Sequence, residues 1–191
     1  MWPWEHVALG YLCYSVYRRG RGRRPPSGPL AVAVVGAALA PDLVDKPLAW
    51  VFAVLPGGRS LGHSLFTAVS VIALAIGIGR RLELRGVGAA VATGYLTHLF
   101  ADVLYPFVVK DDLRTGFLLW PLTSAGPSST VDVVGHVGEL AAAFLEFLAT
   151  PTGRLYLLAE LALLSAAFAL WLADGAPGTP SLGSPFGPAK R

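Results

Sequence analysis

Residues 86–109 read GVGAAVATGYLTHLFADVLYPFVV, an apolar run with one histidine, His98, and one aspartate, Asp102, set inside it. As a helix this run is about 36 Å long at 1.5 Å per residue. That exceeds the roughly 30 Å hydrocarbon core of a bilayer. It has no polar face of the kind that turns a soluble helix toward water. His98 and Asp102 are four residues apart, so a helix sets them on one face with Cβ atoms about 5–6 Å apart. An aspartate at mid-bilayer costs about 2.5–3.5 kcal/mol on insertion scales. It is therefore expected to face a bundle interior, to pair, or to serve a function.

The rest of the chain has the same character. Apolar residues make up 54% of the 191 and charged residues 14%, against about 25% charged in a typical soluble domain. The mean hydropathy is +0.58. Leu61 to Gly79, just upstream, is long enough to span and ends at Arg80-Arg81. Further upstream, Trp2 to Tyr17 is a first apolar segment ending in the basic loop Arg18 to Gly28. Leu30 to Ala40 runs into Pro41-Asp42-Leu43-Val44-Asp45, and Pro47 to Leu55 is a second short apolar piece closed by Pro56-Gly57-Gly58. Downstream come a mixed loop from Lys110 to Val137 and two apolar segments, Gly138 to Ala149 and Leu155 to Ala173, broken at Pro151. The tail, 175–191, is rich in Pro, Gly and Ser and reads as disordered. The expectation is an all-α, polytopic transmembrane bundle of about five to six apolar helices over residues 1–174. Pro47 to Leu55 would be a re-entrant or half-helix piece.

The net charge is +3. The arginines at 18, 19, 21, 23 and 24 form no nucleic-acid-binding motif, so no nucleic-acid partner is expected. A single cysteine, Cys13, excludes an intrachain disulfide and a thiolate metal cage. In a membrane protein, arginine-rich loops mark the cytoplasmic side. Placing Arg18–Arg24 and Arg80–Arg85 there puts His6, Asp42, Asp45, His63, His98 and Asp102 all toward the outer ends of their helices. Neutral histidine and ionised aspartate are suitable ligands for a divalent cation.

Each piece also has a plainer reading. His98 and Asp102 can be a hydrogen-bonded helix pair. Asp42 can cap a helix beginning at Leu43. In Gly58-Arg59-Ser60-Leu61-Gly62-His63-Ser64, His63 opens a helix and Arg59 either grips a phosphate oxygen or anchors at the interface. His6, beside Glu5, reads alone as interfacial, and His136 as a solvated loop residue.

Taken together, His6, the Pro41-Asp42-x-x-Asp45 stretch, the Arg59-x-x-x-His63-Ser64 stretch and His98-x-x-x-Asp102 resemble a family of inner-membrane-associated, metal-dependent hydrolases described as LexA-binding. The resemblance covers roughly residues 1 to 110. That family is similar in motif to the zinc-dependent phospholipase C group, all-helical hydrolases with a multinuclear zinc site. The resemblance implies Asp45, His63, His98 and Asp102 as central ligands and His6 and Asp42 as supporting ones. The chain has Gly58 where the family often has a histidine. It also lacks the phospholipase group's further His-x-x-x-Glu helix, since His136 and Glu139 are three apart. One or two metal ions, zinc by ligand type, are thus expected in place of three.

The resulting expectation is an inner-membrane hydrolase acting on a phosphoester such as a phospholipid head group. Asp42 or Asp45 would be the base and Arg59 would steady the anion. An ion-binding transporter and a non-catalytic structural membrane protein are the alternatives.

Overall fold

The computed structural model describes residues 1–110, 112–123 and 131–179. Among these residues there are six α-helices and no strand: α1 (Pro3–Gly20), α2 (Gly28–Trp50), α3 (Leu65–Arg81), α4 (Val87–Lys110), α5 (Val133–Ala149) and α6 (Pro151–Ala173). A short 3-10 turn, Gly116–Leu119, lies between α4 and α5. Three helices, α2, α4 and α6, are long and apolar enough to cross a membrane. This is fewer than the five to six apolar helices expected of the bundle. α3 and α5 have 17 residues each, about 26 Å at helical rise, short of the hydrocarbon thickness. α1 carries Glu5 and His6 in its first turns and arginines in its last.

Pro47 to Leu55 is not a separate re-entrant piece. α2 continues through both Pro41 and Pro47 to Trp50, and residues 51–64 then form turns and bends. A proline removes one backbone donor and spreads the turn before it, a loss tolerated inside a membrane bundle where neighbours satisfy the freed groups. Here the carbonyl of Ala38, in the turn before Pro41, accepts a hydrogen bond from His98 Nδ1 on α4 at 2.7 Å. The turn of α2 before Pro41 is therefore a point of attachment for a candidate site residue.

α4 is the centre of the packing and lies against α1, α2 and α3. α2 and α4 approach closely because small residues face each other. Ala37, Ala38 and Ala90 are buried, and a methyl group added at Gly94 would run into the Val34 carbonyl and come within 3.0 Å of Ala38 N. Close backbone approach through Gly and Ala is how helices associate in lipid, where no hydrophobic force drives them together. Gly36, on the same helix as Ala37 and Ala38, has open space around it.

Both arginine loops lie at one end. Tyr14 Oη donates to Gly86 O at 3.1 Å, and Arg18, on the same helix, donates through Nε to Arg24 O at 2.7 Å. Below this end the bundle is filled by Tyr11, Tyr14, Leu30, Ala31, Val34 and Ala90. His98 and Asp102 lie about 18 and 24 Å along α4 from Gly86, toward the opposite face.

Helix starts follow local chemistry. Ser64, not His63, opens α3, its Oγ accepting from Phe66 N at 3.2 Å. Asp132 caps α5 through Gly135 N at 3.1 Å, so α5 reaches back to Val133 and His136 sits on a helix and not in a loop. Thr150 caps α6 through Gly153 N at 3.0 Å and makes α5 and α6 a tight hairpin. Residues 175–179 of the expected tail fold back as turns, with Trp171 Nε1 donating to Pro177 O at 3.1 Å. Residues 180–191 lie outside the described residues.

Candidate metal centre

Two helices and the segment between α2 and α3 deliver one group of side chains. α2 supplies Asp42, the irregular segment after it supplies His63, and α4 supplies His98 and Asp102. One ligand-type atom from each of the four lies within 4.8 Å of the others, and all four residues are buried. His63 Nε2 is 3.0 Å from His98 Nε2, 3.5 Å from Asp42 Oδ1 and 3.3 Å from Asp102 Oδ2. His98 Nε2 is 4.0 Å from Asp102 Oδ2. Ligands held at about 2.0–2.2 Å in a tetrahedron are separated by about 3.3–3.6 Å. The observed spread brackets that value.

The outer nitrogens of both rings are already committed. His98 Nδ1 faces the Ala38 carbonyl, which can only accept, so Nδ1 carries the hydrogen. His63 Nδ1 faces Asp45 Oδ2 at 2.8 Å. That carboxylate also accepts from Ser60 N at 2.6 Å, Gly62 N at 2.7 Å and His63 N at 3.3 Å. The same carboxylate accepts from His63 Nδ1 as well. In neutral rings both Nε2 atoms are then lone pairs, pointed at one another.

Asp45 accordingly stands outside the four-atom group. Its two oxygens are spent on the 60–63 backbone and on orienting His63, the carboxylate–histidine arrangement that fixes a ligand ring. The chain permits this because position 62 is glycine: a Cβ there would meet Pro41 O at 2.9 Å and Asp45 Oδ1 at 3.2 Å. Asp42 is inside α2, not at a helix start, so it is not a cap. Its Oδ2 receives Lys46 Nζ at 2.6 Å.

His6 is brought to the same place but through a looser contact. Its ring stacks on His98 with centroids 3.9 Å apart, and its Nε2 is 3.4 Å from Asp102 Oδ1. Both its ring nitrogens are buried without a hydrogen-bond partner. Arg59 Nε contacts Asp102 Oδ2 at 2.7 Å, and its guanidinium lies over the Phe117 ring, which also meets His63 edge-on. All six histidine and aspartate residues expected from the sequence thus converge, together with Arg59. His136 is not among them. It packs edge-on against Trp50, 3.8 Å from Glu139, whose side chain is exposed.

Sequence reasoning missed Lys46, four residues after Asp42 and therefore on its face of α2. It also missed Glu160, whose Oε1 accepts from Trp4 Nε1 at 2.7 Å. Glu160 is a carboxylate in the middle of an apolar segment, the same signal that singled out Asp102. Beside it, Tyr156 Oη donates to the buried Glu5.

Neither the curated proteins nor the solved structures yield a match to this chain. The family model described as YdjM inner membrane protein matches residues 1–176, a span that includes every residue of the cluster. The chain belongs to the YdjM inner membrane protein family.

Proposed function

We propose that this inner membrane protein is a metal-dependent hydrolase of phosphoesters, with Asp42, His63, His98 and Asp102 as the ligands of a zinc-type cation and His6 adjoining them. The observation that carries the reading is the 3.0 Å approach of His63 Nε2 to His98 Nε2, with both Nδ1 atoms hydrogen-bonded elsewhere. Two lone pairs at that distance repel unless a cation lies between them or one ring is protonated. Two carboxylates on the same centre and the two unpartnered nitrogens of His6 favour the cation. Two imidazoles and two carboxylates form a hard-to-borderline donor set, which suits zinc.

A bound zinc ion supplies a water whose pKa falls to about 7. The protein's own groups do the rest. Asp45 holds His63 in the tautomer that leaves Nε2 free. Arg59 offers a guanidinium to an anionic oxygen at the mouth of the cluster. Asp42 borders an open groove on the face of α2; with Oδ1 toward the ion, it would take the water proton on Oδ2, the oxygen that Lys46 contacts. The apolar plug of Tyr11, Tyr14, Leu30, Ala31, Val34 and Ala90 favours an enzyme over a transporter, whose ionisable groups mark a pathway across the membrane.

The test is elemental analysis of the purified full chain in detergent, together with hydrolysis of a fluorogenic phosphoester. Wild type should carry about one or two divalent ions per chain. His98→Ala and Asp102→Ala should lose most of them and the chelator-sensitive hydrolysis, with exposed Glu139→Ala as the unaffected control. Undiminished metal in both variants would overturn the proposal.

A further inference from the structure

A groove of about 350 Å³ runs along α2 beside the cluster. Leu39, Leu43, Val51 and Val133 line it, and Asp42 and Lys46 form its polar end. Positions 39, 42, 43 and 46 recur at helical spacing, so one stripe of α2 passes from apolar side chains directly to a member of the metal cluster. The volume lies at the low end of the range for ligand pockets, about 300–1,000 Å³. It has room for a length of one hydrocarbon chain and none for a head group beside it. Leu43 is 67% exposed and Val51 52%, and in an inner membrane protein this exposure is to lipid.

The polar end sets the charge of the occupant. Lys46 Nζ is 2.6 Å from Asp42 Oδ2 and lies over the Trp50 ring, its stem along the groove and its ammonium at the cluster. Arg59 touches Asp102, so cations stand against both carboxylates of the cluster. Once those carboxylates face a metal, both cations have capacity for a further anion, and a phosphate matches them. We propose that the groove is a lipid-chain slot. It receives one hydrocarbon chain of an anionic, phosphate-headed lipid whose phosphate lies between Lys46 and Arg59. The inference rests on the hydrolase reading for the head-group end alone; the slot itself stands on the shape and chemistry of α2.

The test is photolabelling of the full chain in nanodiscs with diazirine-bearing phosphatidic acid or diazirine-bearing diacylglycerol, mapped by mass spectrometry. Phosphatidic acid should label the 39–51 segment several-fold more than diacylglycerol does. Leu39→Trp, which fills the groove, should remove most of that label while metal content stays at the wild-type level. Val51→Trp, at an exposed position that does not threaten folding, should do the same. Lys46→Gln should bring the two lipids to parity. Labelling spread evenly over the lipid-facing helices, or label on 39–51 that survives both tryptophans, would overturn the slot. Groove labelling in a protein that binds no metal would keep the slot and reject the hydrolase. A metal-loaded protein without groove labelling would do the reverse.

Discussion

In α2 and α4, 44% and 39% of the most apolar window is buried, whereas in α6, the most hydropathic of the three spans, 11% is. The order is the reverse of what a water-soluble protein shows. In lipid, hydropathy marks the surface that faces acyl chains, and the helices that hold one another are the less apolar ones. α2 and α4 spend their sequence on alanine, glycine, histidine and aspartate turned toward each other. α5 and α6 spend theirs on leucine, alanine and phenylalanine turned outward: Leu145, Leu155, Leu158, Leu161 and Phe168 are all more than half exposed. The core α1–α4 is thus specified by fit and by polar pairing. The α5–α6 hairpin is held to it through α1 at a few polar points, Trp4–Glu160, Tyr156–Glu5 and the contacts of Asp174.

The largest effect should come from crowding the core. Gly94→Ala puts a methyl against backbone of α2 that has no room to give. Overpacking of this kind costs about 1–3 kcal/mol, and here the helices that separate are the ones presenting Asp42 and His98. Gly138→Ala in α5 meets nothing within 4 Å and should instead stabilise by about 0.5–1 kcal/mol, the helical preference of alanine over glycine. Reversible unfolding in mixed detergent measures both. Equal effects of the two substitutions would break the contrast between core and hairpin.

A smaller and more specific effect is expected at Asp45. Asp45→Asn keeps the shape, but its side-chain NH₂ cannot accept the bonds that now come from the 60–63 backbone and from His63 Nδ1. Loss of a partner that orients a ligand histidine typically lowers metal affinity by about 10–100-fold. Zinc competition against a chromogenic chelator should show that drop in the full chain, with the α6 helix unchanged in hydrogen exchange. Unaltered zinc affinity would mean that the Asp45–His63 bond serves the loop and not the centre.

The cluster was more legible in the sequence than the fold around it. Charged and imidazole groups stand out against an apolar background, and the arginine loops fixed the end to which each belongs, so His6, Asp42, His63, His98 and Asp102 could be grouped without coordinates. Asp45 belonged to the group too, but its part there depends on the return of residues 60–63 to α2, a contact set by Gly62 that spacing along the chain does not reveal. Pro41 and Pro47 made α2 look like two pieces because proline breaks helices in water. α2 nevertheless runs through both, and the Ala38 carbonyl in the turn before Pro41 accepts from His98. Glu160 was overlooked for want of a neighbouring histidine, although its isolation among leucines and alanines was the same physical signal.

The smallest effect sharpens how the hairpin is held. Asp174, just past α6, accepts from Tyr11 Oη at 2.7 Å and Ser15 Oγ at 2.5 Å, and pairs with Arg19. Burial works against its charge, but the hydrogen bonds from Ser15, Tyr11 and Arg19 outweigh it and hold the carboxyl below the usual aspartate range. A carboxyl depressed in the folded state stabilises fully above its unfolded pKa of about 3.9. That contribution is lost as the pH falls through the lower folded value. Arg19 is 44% exposed, so its pair is screened, and the latch as a whole should be worth about 1 kcal/mol. Asp174→Asn should therefore speed hydrogen exchange in the last turns of α6 by several-fold, equally from about pH 5 to 8, while zinc content stays unchanged. Wild type and variant should converge only in acid, below about pH 4. A difference that titrated near neutrality would point to another group. A loss of metal would mean that the hairpin supports the centre and does not merely lean on the core.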